Sequence, residues 1–463
     1  MSESELQAKL QELLVELAVP GAAAGVLHDG VEHHAYAGTT SVENPLPVDA
    51  NTLFQFGSTG KTYTATALMR LVEQDKVALD APVRTYVPEL RLKDEDVASR
   101  VTVLHLLNHT AGWEGDLMED VGAGDDALEK YVARMADIEQ VSPLGETVSY
   151  NNASLSLAGR VIEKVTGTTY EQAIAELLLR PLGMSDTFFF PSDVMTRRFC
   201  VGHNRHEDGS VTVARPWAMP RGNAPAGGMS APVRDQLTWA RFHLGDGTAT
   251  DGTRLLEQEQ LQRMQQPTAD MRGSALGDYV GISWLLGEVA GARTVRHGGT
   301  TNGQHSDFLL VPEHGFAVTS LTNSGPNGPR LNRKIVQWAL EHYLGLVERE
   351  PEPLRLPDDK LAPYTGRFET IAAVVEISAD AGRLSAAITI KPSMAVALRE
   401  AGEEPEEQPP LVLAMLQGAP DRYIVDEGDA KGMKGYFRRA ADGTVDGVHL
   451  GGRLATRPDR LPG

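Results

Sequence analysis

Three short clusters of residues, far apart in the chain, carry groups that together could perform acyl transfer. Ser58-Thr59-Gly60-Lys61 places a hydroxyl and an amine three residues apart. Tyr150-Asn151-Asn152 supplies a phenol and an amide, and His297-Gly298-Gly299 supplies an imidazole beside two glycines. A serine becomes a nucleophile when a base takes its proton and backbone N–H groups hold the oxyanion. The clusters therefore predict an activated serine with a proton shuttle and an oxyanion site.

The first cluster lies where the sequence predicts the start of a helix. Apolar residues recur at helical spacing from Ala65 to Val72. Because residues three apart are neighbours on a helix, Lys61 should reach the Ser58 hydroxyl. A helix N-terminus also favours a developing anion, and a buried lysine loses its proton more readily than an exposed one. Ser58 is the candidate nucleophile and Lys61 a candidate base.

Other interpretations of this cluster have less support. The same spacing is common by chance as a capping serine beside a surface lysine. A phosphate-binding loop, G-x-x-x-x-G-K-[ST], would need glycine where Gln55 stands, and no G-x-S-x-G elbow of an α/β-hydrolase surrounds Ser58. The three clusters must therefore be interpreted together.

Tyr150 is the second candidate proton carrier. A phenol between Lys61 and another basic group should have its phenolate stabilised, which suits proton transfer to and from the serine. Whether Lys61 or Tyr150 is the main base stays open. Asn152 offers its amide to a substrate carbonyl or to Lys61.

The third cluster is predicted to follow a strand that ends at Arg296. Gly298 and Gly299 would let substrate lie against the strand edge. The backbone N–H of Thr300, with that of Ser58, is a candidate oxyanion donor. His297 is a candidate substrate-binding residue of the same segment.

Composition limits the classes of partner and location. Of 463 residues, 41% are hydrophobic, and the formal net charge of −20 argues against nucleic acid and against an anionic membrane surface. No segment approaches the ~20 apolar residues that span a bilayer. The N-terminal residues 1–19 read as an amphipathic helix rather than a signal peptide, so a cytoplasmic location is expected. The spacing of His105 and His109 lacks the glutamate of a helical zinc motif, so neither a metal nor a cofactor is expected.

Strand and helix patterns divide the chain into two units. Residues 1–347 are predicted to form an antiparallel sheet from 1–55 and 275–347, flanked by helices, with an all-α insertion at about 79–266. The individual elements are predicted at the following positions: strands Gly21–Leu27, Val31–Tyr36, Tyr279–Leu286, Thr294–Arg296, Ser306–Val311 and Phe316–Thr322, and helices Val103–Leu107, Ser154–Thr166, Tyr170–Leu179 and Leu331–Leu346.

The second unit follows a charged, proline-rich linker at 348–359. Short strands separated by turns over residues 360–463 predict a small antiparallel sandwich or barrel. The last of these strands is predicted at Val445–Leu450.

Taken together, the clusters resemble those of the serine beta-lactamase and penicillin-binding-protein family, in particular its class C and esterase branch. Secondary motifs agree, in the same order along the chain: Leu104-His-Leu-Leu-Asn-His-Thr-Ala-Gly112, Pro225-Ala-Gly-Gly-Met-Ser230 and Tyr279-Val-Gly-Ile-Ser-Trp284. The similarity covers roughly residues 8–345. It implies an α/β domain plus a helical domain with Ser58 in the cleft between them, and acyl transfer through an acyl-enzyme on Ser58. The C-terminal unit resembles lipocalin-like β-domains attached to some members, with a role in oligomerisation or in shaping the cleft.

One departure from the family pattern bears on the substrate. Penicillin-recognising members usually carry Lys-Thr-Gly or Lys-Ser-Gly at the third cluster, where His297 and Gly298 stand here. Arg296 should point to the opposite face of its strand. An ester, amide or short-peptide substrate is therefore favoured over a penicillin.

Three functions remain open. The first is a serine hydrolase of the esterase, amidase or D-aminopeptidase type, and the second is an ATP-independent acyltransferase that uses the same acyl-enzyme. The third is a non-enzymatic sensor that only binds a ligand. The loops at 113–121 and 216–223 are predicted to shape the substrate pocket, and homo-oligomerisation is left open.

Overall fold

The computed structural model describes residues 3–117, 119–206, 208–392, 394–396, 409–428 and 430–458. Met118 of a predicted pocket loop, and residues 397–408 and 459–463 of the predicted C-terminal unit, lie outside the described residues. The helices are α1 (Glu3–Glu16), α2 (Lys61–Glu73), α3 (Glu95–Arg100), α4 (Val103–Leu107), α5 (Ala127–Arg134), α6 (Asn152–Thr166), α7 (Tyr170–Ile174), α8 (Pro191–Val194), α9 (Ala224–Gly227), α10 (Val233–Leu244), α11 (Gln258–Met264), α12 (Asn327–Leu344) and α13 (Asp358–Leu361).

The strands of the first part of the chain are β1 (Gly21–His28), β2 (Val31–Gly38), β3 (Phe54–Gln55), β4 (His203–Arg205), β5 (Val211–Val213), β6 (Ser230–Ala231), β7 (Ala269–Ser274), β8 (Gly277–Val280), β9 (Leu285–Val289), β10 (Ala292–Thr301), β11 (Gln304–Val311) and β12 (Phe316–Thr322). The strands of the last part are β13 (Pro353–Leu354), β14 (Gly366–Glu369), β15 (Ala373–Asp380), β16 (Arg383–Ile390), β17 (Leu411–Leu416), β18 (Ala419–Val425), β19 (Lys434–Arg439), β20 (Val445–Leu450) and β21 (Arg453–Thr456).

The first sheet is antiparallel and has eight strands in the order β2-β1-β12-β11-β10-β9-β8-β7. Side chains alternate between its two faces, as the strand period requires. On β11, Leu309 and Val311 pack with α1 and α12, while Phe308 and Leu310 join the larger core under the helical part. Both faces of the central strands are thus buried, and the sheet is held between two layers of helices.

The second sheet closes into a barrel of eight antiparallel strands, β14 to β21. Each strand pairs with the next along the chain, and β14 closes the ring by pairing with β21 through Glu369 and Thr456. Apolar side chains such as Phe368, Tyr423 and Phe437 fill the interior. Strand β13 adds to the outside of the barrel beside β17.

The predicted fold class, a beta-lactamase-like sheet with helices followed by a small antiparallel barrel, is confirmed. Some element boundaries differ. The predicted strand Tyr279–Leu286 is two strands, because residues 281–284 leave the sheet and Ser283 N–H bonds to Leu107 in α4. The predicted linker contains β13, and the predicted all-α insertion contains β4, β5 and β6. The second segment of the first sheet begins at Ala269 rather than at 275.

Two further differences affect the site. Strand β10 continues to Thr301, so His297, Gly298 and Gly299 lie inside a strand rather than after one. The sequence prediction also missed β21, which follows a two-glycine turn. Among the described residues, no helix is both long and apolar enough to cross a membrane.

Candidate active site

Ser58 lies in a single 3-10 turn, Gly57–Gly60, that leads from β3 into α2. Helix α2 itself begins at Lys61 rather than at Ser58 as predicted, but the two residues still stand on one turn. The turn needs glycine at 57, where φ is +53° and a Cβ would lie 2.7 Å from the backbone nitrogen of Thr300. The backbone before Ser58 therefore packs directly against β10.

Lys61 contacts the Ser58 hydroxyl directly. Its Nζ lies 2.9 Å from Ser58 Oγ and 2.7 Å from the carbonyl oxygen of Ala226, and the side chain is wholly buried. Burial lowers the pKa of Lys61 well below its usual range, and Arg453 lowers it further while Asp116 opposes the shift. An amine in this position holds its free-base form at lower pH than an exposed lysine does.

Tyr150 lies over the same cluster, with its ring centroid 4.9 Å from Lys61 Nζ. Burial raises the pKa of Tyr150 above its usual range, although the Ser58 side chain and Arg453 oppose the rise. The expected stabilisation of a phenolate between two cations is therefore outweighed by desolvation. The phenol carries its proton at neutral pH.

His109 packs against the ring of Tyr150 and was not assigned to the site from the sequence. Its ring centroid is 4.6 Å from that of Tyr150, and its Nδ1 accepts a hydrogen bond from the Asn151 N–H. Burial lowers the pKa of His109 well below its usual value, so the ring is neutral. The motif Leu104–Gly112, which contains His109, was the signal available in the sequence.

The third cluster lies on β10 beside Ser58. A Cβ at Gly299 would be 2.0 Å from Phe56 O and 2.7 Å from Ser58 N, so only glycine allows this approach. The Thr59 hydroxyl donates to the carbonyl of His297 over 3.2 Å. Strand β9 pairs with β10 only as far as Arg296. From residue 297 to residue 301, β10 is therefore paired with β11 on one edge and not with β9 on the other.

His297 is neutral. It is buried, its Nδ1–H donates to the carbonyl of Gly298 at 2.7 Å, and burial together with Lys61 lowers its pKa to about 3. Arg296 is paired with Asp307, whose two carboxylate oxygens its Nη2 contacts at 3.1 and 3.2 Å. The third cluster thus brings no positive charge to the serine.

Asn152 contacts a residue that was not singled out from the sequence. Its Nδ2 donates to Asp116 Oδ1 over 2.8 Å, whereas Lys61 is bonded to Ser58 and Ala226. Among the described residues, no hydrogen bond joins Asn152 to Lys61, which was one of its two predicted partners. Asp116 lies in the predicted pocket loop 113–121.

The barrel contributes to the site through the turn between β20 and β21. Gly452 O accepts a 2.9 Å hydrogen bond from the Tyr150 N–H, and Arg453 Nη2 donates to Asp116 Oδ1 over 2.9 Å. The Arg453 guanidinium lies 5.3 Å from the Tyr150 ring centroid. Gly451 and Gly452 both have positive φ, as a two-residue hairpin turn requires. The Gly-Gly pair after a predicted strand was the signal that could have revealed this hairpin.

A cavity of about 610 Å³ is lined by Ser58, Tyr150, Asn152, the third cluster and Arg453. Its walls come from the catalytic cluster, the turn between β7 and β8, helix α12 and the barrel. Neither of the two predicted pocket loops, 113–121 and 216–223, contributes a described residue to this wall. The described residues bring together no group of three or more His, Cys, Asp or Glu side chains suited to a metal ion.

Comparison with known proteins identifies the family. The beta-lactamase family model matches residues 6–342. Penicillin-binding protein 4 of Amycolatopsis lactamdurans is 34% identical over 322 residues, which is 69% of this chain and 84% of that protein. Esterase EstB of Burkholderia gladioli is 28% identical over 372 residues, or 70% of this chain and 92% of that protein. The chain belongs to the beta-lactamase family, and the resemblance found in the sequence is confirmed.

Solved structures extend the similarity to the barrel. The structure of SurE has a TM-score of 0.78 at 25% identity and covers 98% of this chain and 99% of its own. SurE has also been solved with D-Leu. The octameric penicillin-binding protein homologue from Pyrococcus abyssi has a TM-score of 0.67 at 23% identity and covers 99% of each chain. The two-part architecture therefore recurs as a whole.

Proposed function

We propose that this protein is a serine hydrolase that forms an acyl-enzyme on Ser58 and cleaves an ester or an amide bond. The observation that carries the proposal is the 2.9 Å contact between Lys61 Nζ and Ser58 Oγ at a wholly buried lysine. A lysine with a lowered pKa can act as a general base near neutral pH.

In this mechanism the free amine of Lys61 takes the Ser58 proton while it donates to Ala226 O. Ser58 Oγ then attacks the substrate carbonyl carbon, and the carbonyl oxygen becomes an oxyanion. The backbone N–H groups of Ser58 and Thr300 are the proposed donors to that oxyanion. Their segments pack together, as the 2.7 Å separation between a Cβ at Gly57 and Thr300 N demonstrates.

The leaving group departs with a proton supplied from the Lys61 ammonium, relayed by the phenol of Tyr150. Because the pKa of Tyr150 is raised, the phenol suits proton donation and relay rather than service as the resting base. Water then attacks the acyl carbon while Lys61 accepts its proton, the bond between Ser58 Oγ and the acyl group breaks, and the proton passes from Lys61 to Ser58 Oγ. His297 and Asn152 are the proposed contacts to the acyl part of the substrate, and Gly298 and Gly299 let it approach β10.

The substrate class we propose is a D-aminoacyl or short peptidyl ester or amide. Similarity to SurE, whose structure has been solved with D-Leu, supports a D-configured residue. Similarity to an esterase supports acyl esters. A neutral His297 weakens binding of the carboxylate that penicillins carry. True beta-lactamase activity is therefore the least supported of the family's reactions.

A fluorophosphonate probe tests the nucleophile. We expect it to label Ser58 in the full chain, and Ser58→Ala to abolish both labelling and turnover of p-nitrophenyl esters and D-aminoacyl anilides. Ser274 lines the same cavity, so Ser274→Ala is the matched control and should keep both. Labelling that survives Ser58→Ala would disprove the assignment.

Acyl transfer is the second candidate, since the cavity extends from Ser58 to α12 and has room for an acceptor beside the acyl group. It uses the same acyl-enzyme, with an amine or alcohol in place of water. Amino acids and small alcohols added at increasing concentration should then divert product from acid to amide or ester. Acid as the sole product at all acceptor concentrations would restrict the protein to hydrolysis.

The cytoplasmic location and the homo-oligomerisation of this protein stay predictions.

A further inference from the structure

Asp116 connects three parts of the molecule. Its carboxylate accepts hydrogen bonds from Arg453 Nε at Oδ2 and from Arg453 Nη2 at Oδ1, the latter over 2.9 Å. Oδ1 also accepts the 2.8 Å bond from Asn152 Nδ2. Arg453 belongs to the barrel, Asp116 to the loop after Trp113, and Asn152 to the first turn of α6. One carboxylate therefore joins the barrel to the Tyr150–Asn152 motif.

The backbone around Asp116 is held in place by the same helix. Gly115 O accepts hydrogen bonds from the N–H groups of Asn152 and Ala153, over 3.0 and 2.9 Å. A Cβ at Gly115 would lie 2.6 Å from Tyr150 O, so the loop contacts the motif at van der Waals distance. Asp116 is consequently a fixed anchor rather than a mobile surface carboxylate, with a side chain only 21% exposed.

This contact determines which way the Asn152 amide faces. An ionised carboxylate only accepts hydrogen bonds, so the Asn152 atom beside Asp116 must be the amide nitrogen. The described residues give Asn152 no hydrogen bond to Lys61, whose Nζ is already bonded to Ser58 and Ala226. Asp116 rather than Lys61 sets the orientation of this amide.

Asp116 also balances charge next to the nucleophile. Two basic groups face the Tyr150 ring, the Lys61 amine at 4.9 Å and the Arg453 guanidinium at 5.3 Å from its centroid. When Lys61 takes up a proton, two like charges lie close together in a buried site, and a nearby carboxylate offsets their repulsion. The pair with Arg453 supplies that carboxylate, and it keeps Asp116 ionised, with a lowered pKa.

We propose that Asp116 is a positioning residue of the active site, which fixes the Asn152 amide and holds Arg453 against Tyr150 so that the barrel and the catalytic motif work as one unit. It acts through its neighbours and touches no reacting atom. The activity assays of this proposal rest on the proposed function, whereas the NMR measurement of the Asn152 amide does not.

The test variant is Asp116→Asn, with Glu114→Gln as matched control. Glu114 stands on the same loop and also contacts the barrel, accepting a 2.8 Å bond from the Ile371 N–H. We expect Asp116→Asn to lower kcat/KM at least tenfold and Glu114→Gln to change it less than threefold. Asp116→Glu, which keeps the carboxylate, should recover part of the loss. Equal losses in the two variants at equal Tm would overturn the proposal.

The pH profile separates positioning from mere structural support. Around Lys61 the charged groups are Arg453 and Asp116, and the titratable neighbours are Tyr150, His109 and His297. Activity requires neutral Lys61, so the acid limb of kcat/KM follows the pKa of Lys61. Removing the negative charge in Asp116→Asn lowers that pKa and should move the limb to lower pH by roughly half to one unit.

Arg453→Gln removes a positive charge and should move the same limb to higher pH. Opposite shifts in the two variants support the proposal. Shifts in the same direction, or no shift in either variant, would overturn it.

Two measurements complete the test. In an Asn152→Ala background, Asp116→Asn should cost less than in the wild-type chain, because both act through one amide. An equal cost in the two backgrounds would contradict the link. Independently of activity, the NMR resonance of the Asn152 side-chain amide should shift in Asp116→Asn and stay unchanged in Glu114→Gln. Absence of Ser58 labelling in the wild-type chain would refute the proposed function. An unchanged Asn152 resonance in Asp116→Asn would refute the role of Asp116.

Discussion

The backbone N–H of Tyr150 donates a 2.9 Å hydrogen bond to the carbonyl oxygen of Gly452, a residue of the barrel. The two residues before Tyr150 also contact the barrel. His449 Nε2 lies 3.1 Å from Val148 O, and the Leu454 N–H donates to Ser149 Oγ over 3.2 Å. The hairpin therefore runs alongside the segment that presents the phenol. The position of Tyr150 depends on the barrel.

Gly452→Val should impair activity by displacing this hairpin. The φ angle at 452 is +87°, which a β-branched residue tolerates poorly, and a Cβ would lie 2.7 Å from the Leu276 side chain. We expect kcat/KM to fall at least tenfold. Gly451→Asn is the control, because nothing lies within 4 Å of a Cβ there and asparagine adopts positive φ readily. Equal activity in the two variants would show that the hairpin does not position Tyr150.

Gly299→Ala should disable the nucleophile, because the added Cβ would meet Phe56 O at 2.0 Å and Ser58 N at 2.7 Å. Backbone atoms cannot move aside as a side chain can, so the turn that carries Ser58 must shift. We expect labelling of Ser58 by the fluorophosphonate to slow at least a hundredfold. Gly298→Ala is the neighbouring control, since its closest contact is Ser306 O at 3.3 Å, and it should slow labelling far less.

Cephalosporin turnover should be much slower than ester turnover. The buried, neutral His297 offers no cation to the substrate carboxylate, and Gly298 offers no hydroxyl. The double variant His297→Lys, Gly298→Thr should raise the acylation rate with a chromogenic cephalosporin. Efficient cephalosporin hydrolysis by the wild-type chain would contradict this interpretation of the third cluster.

Stability should fall as the pH drops below 6.5. Burial lowers the pKa of His243 and His297 to about 3, and that of His305 and His449 to about 4. Between those values and the unfolded value of about 6.5, the unfolded chain binds more protons than the folded chain. Each histidine then removes up to about 1.4 kcal/mol from the free energy of unfolding per pH unit.

Urea unfolding at pH 7.5, 6 and 5 measures this slope. His243→Leu should reduce the pH dependence, because a buried proton-binding group is gone from the core. His314→Gln, at an exposed position, should leave it unchanged. A stability that is constant from pH 7.5 to 5 would contradict the prediction.

Much of the fold could be predicted because local pattern agrees with tertiary packing. Phe316–Thr322 and Val103–Leu107 have the predicted bounds, since continuous apolar character and a capped apolar turn mark them clearly. Residues 279–286 were predicted as one strand because apolar residues continue across the break. Hydrogen bonds to other parts of the chain explain why the strand stops there: the Ile282 N–H donates to Met264 O and the Ser283 N–H to Leu107 O.

The site divides in the same way. Ser58 and Lys61 could be paired from the sequence, because three residues on one turn fix their separation. Asp116 and Arg453 could not be paired from the sequence, because these residues are far apart in the chain and no fixed spacing connects them. Tyr150 illustrates a third limit: charge counting favours a phenolate, whereas the burial that raises its pKa exists only in the folded structure.

Strand β21, which carries Arg453, follows every other described strand in the chain, and most of the sequence separates it from Ser58. Domains generally fold in order from the N-terminus as they leave the ribosome. A nascent chain whose first sheet has folded already holds Ser58 beside Lys61, but it lacks both Arg453 and the backbone acceptor for Tyr150. The order of elements along the polypeptide thus leaves the site incomplete until β21 has been synthesised and the barrel has closed.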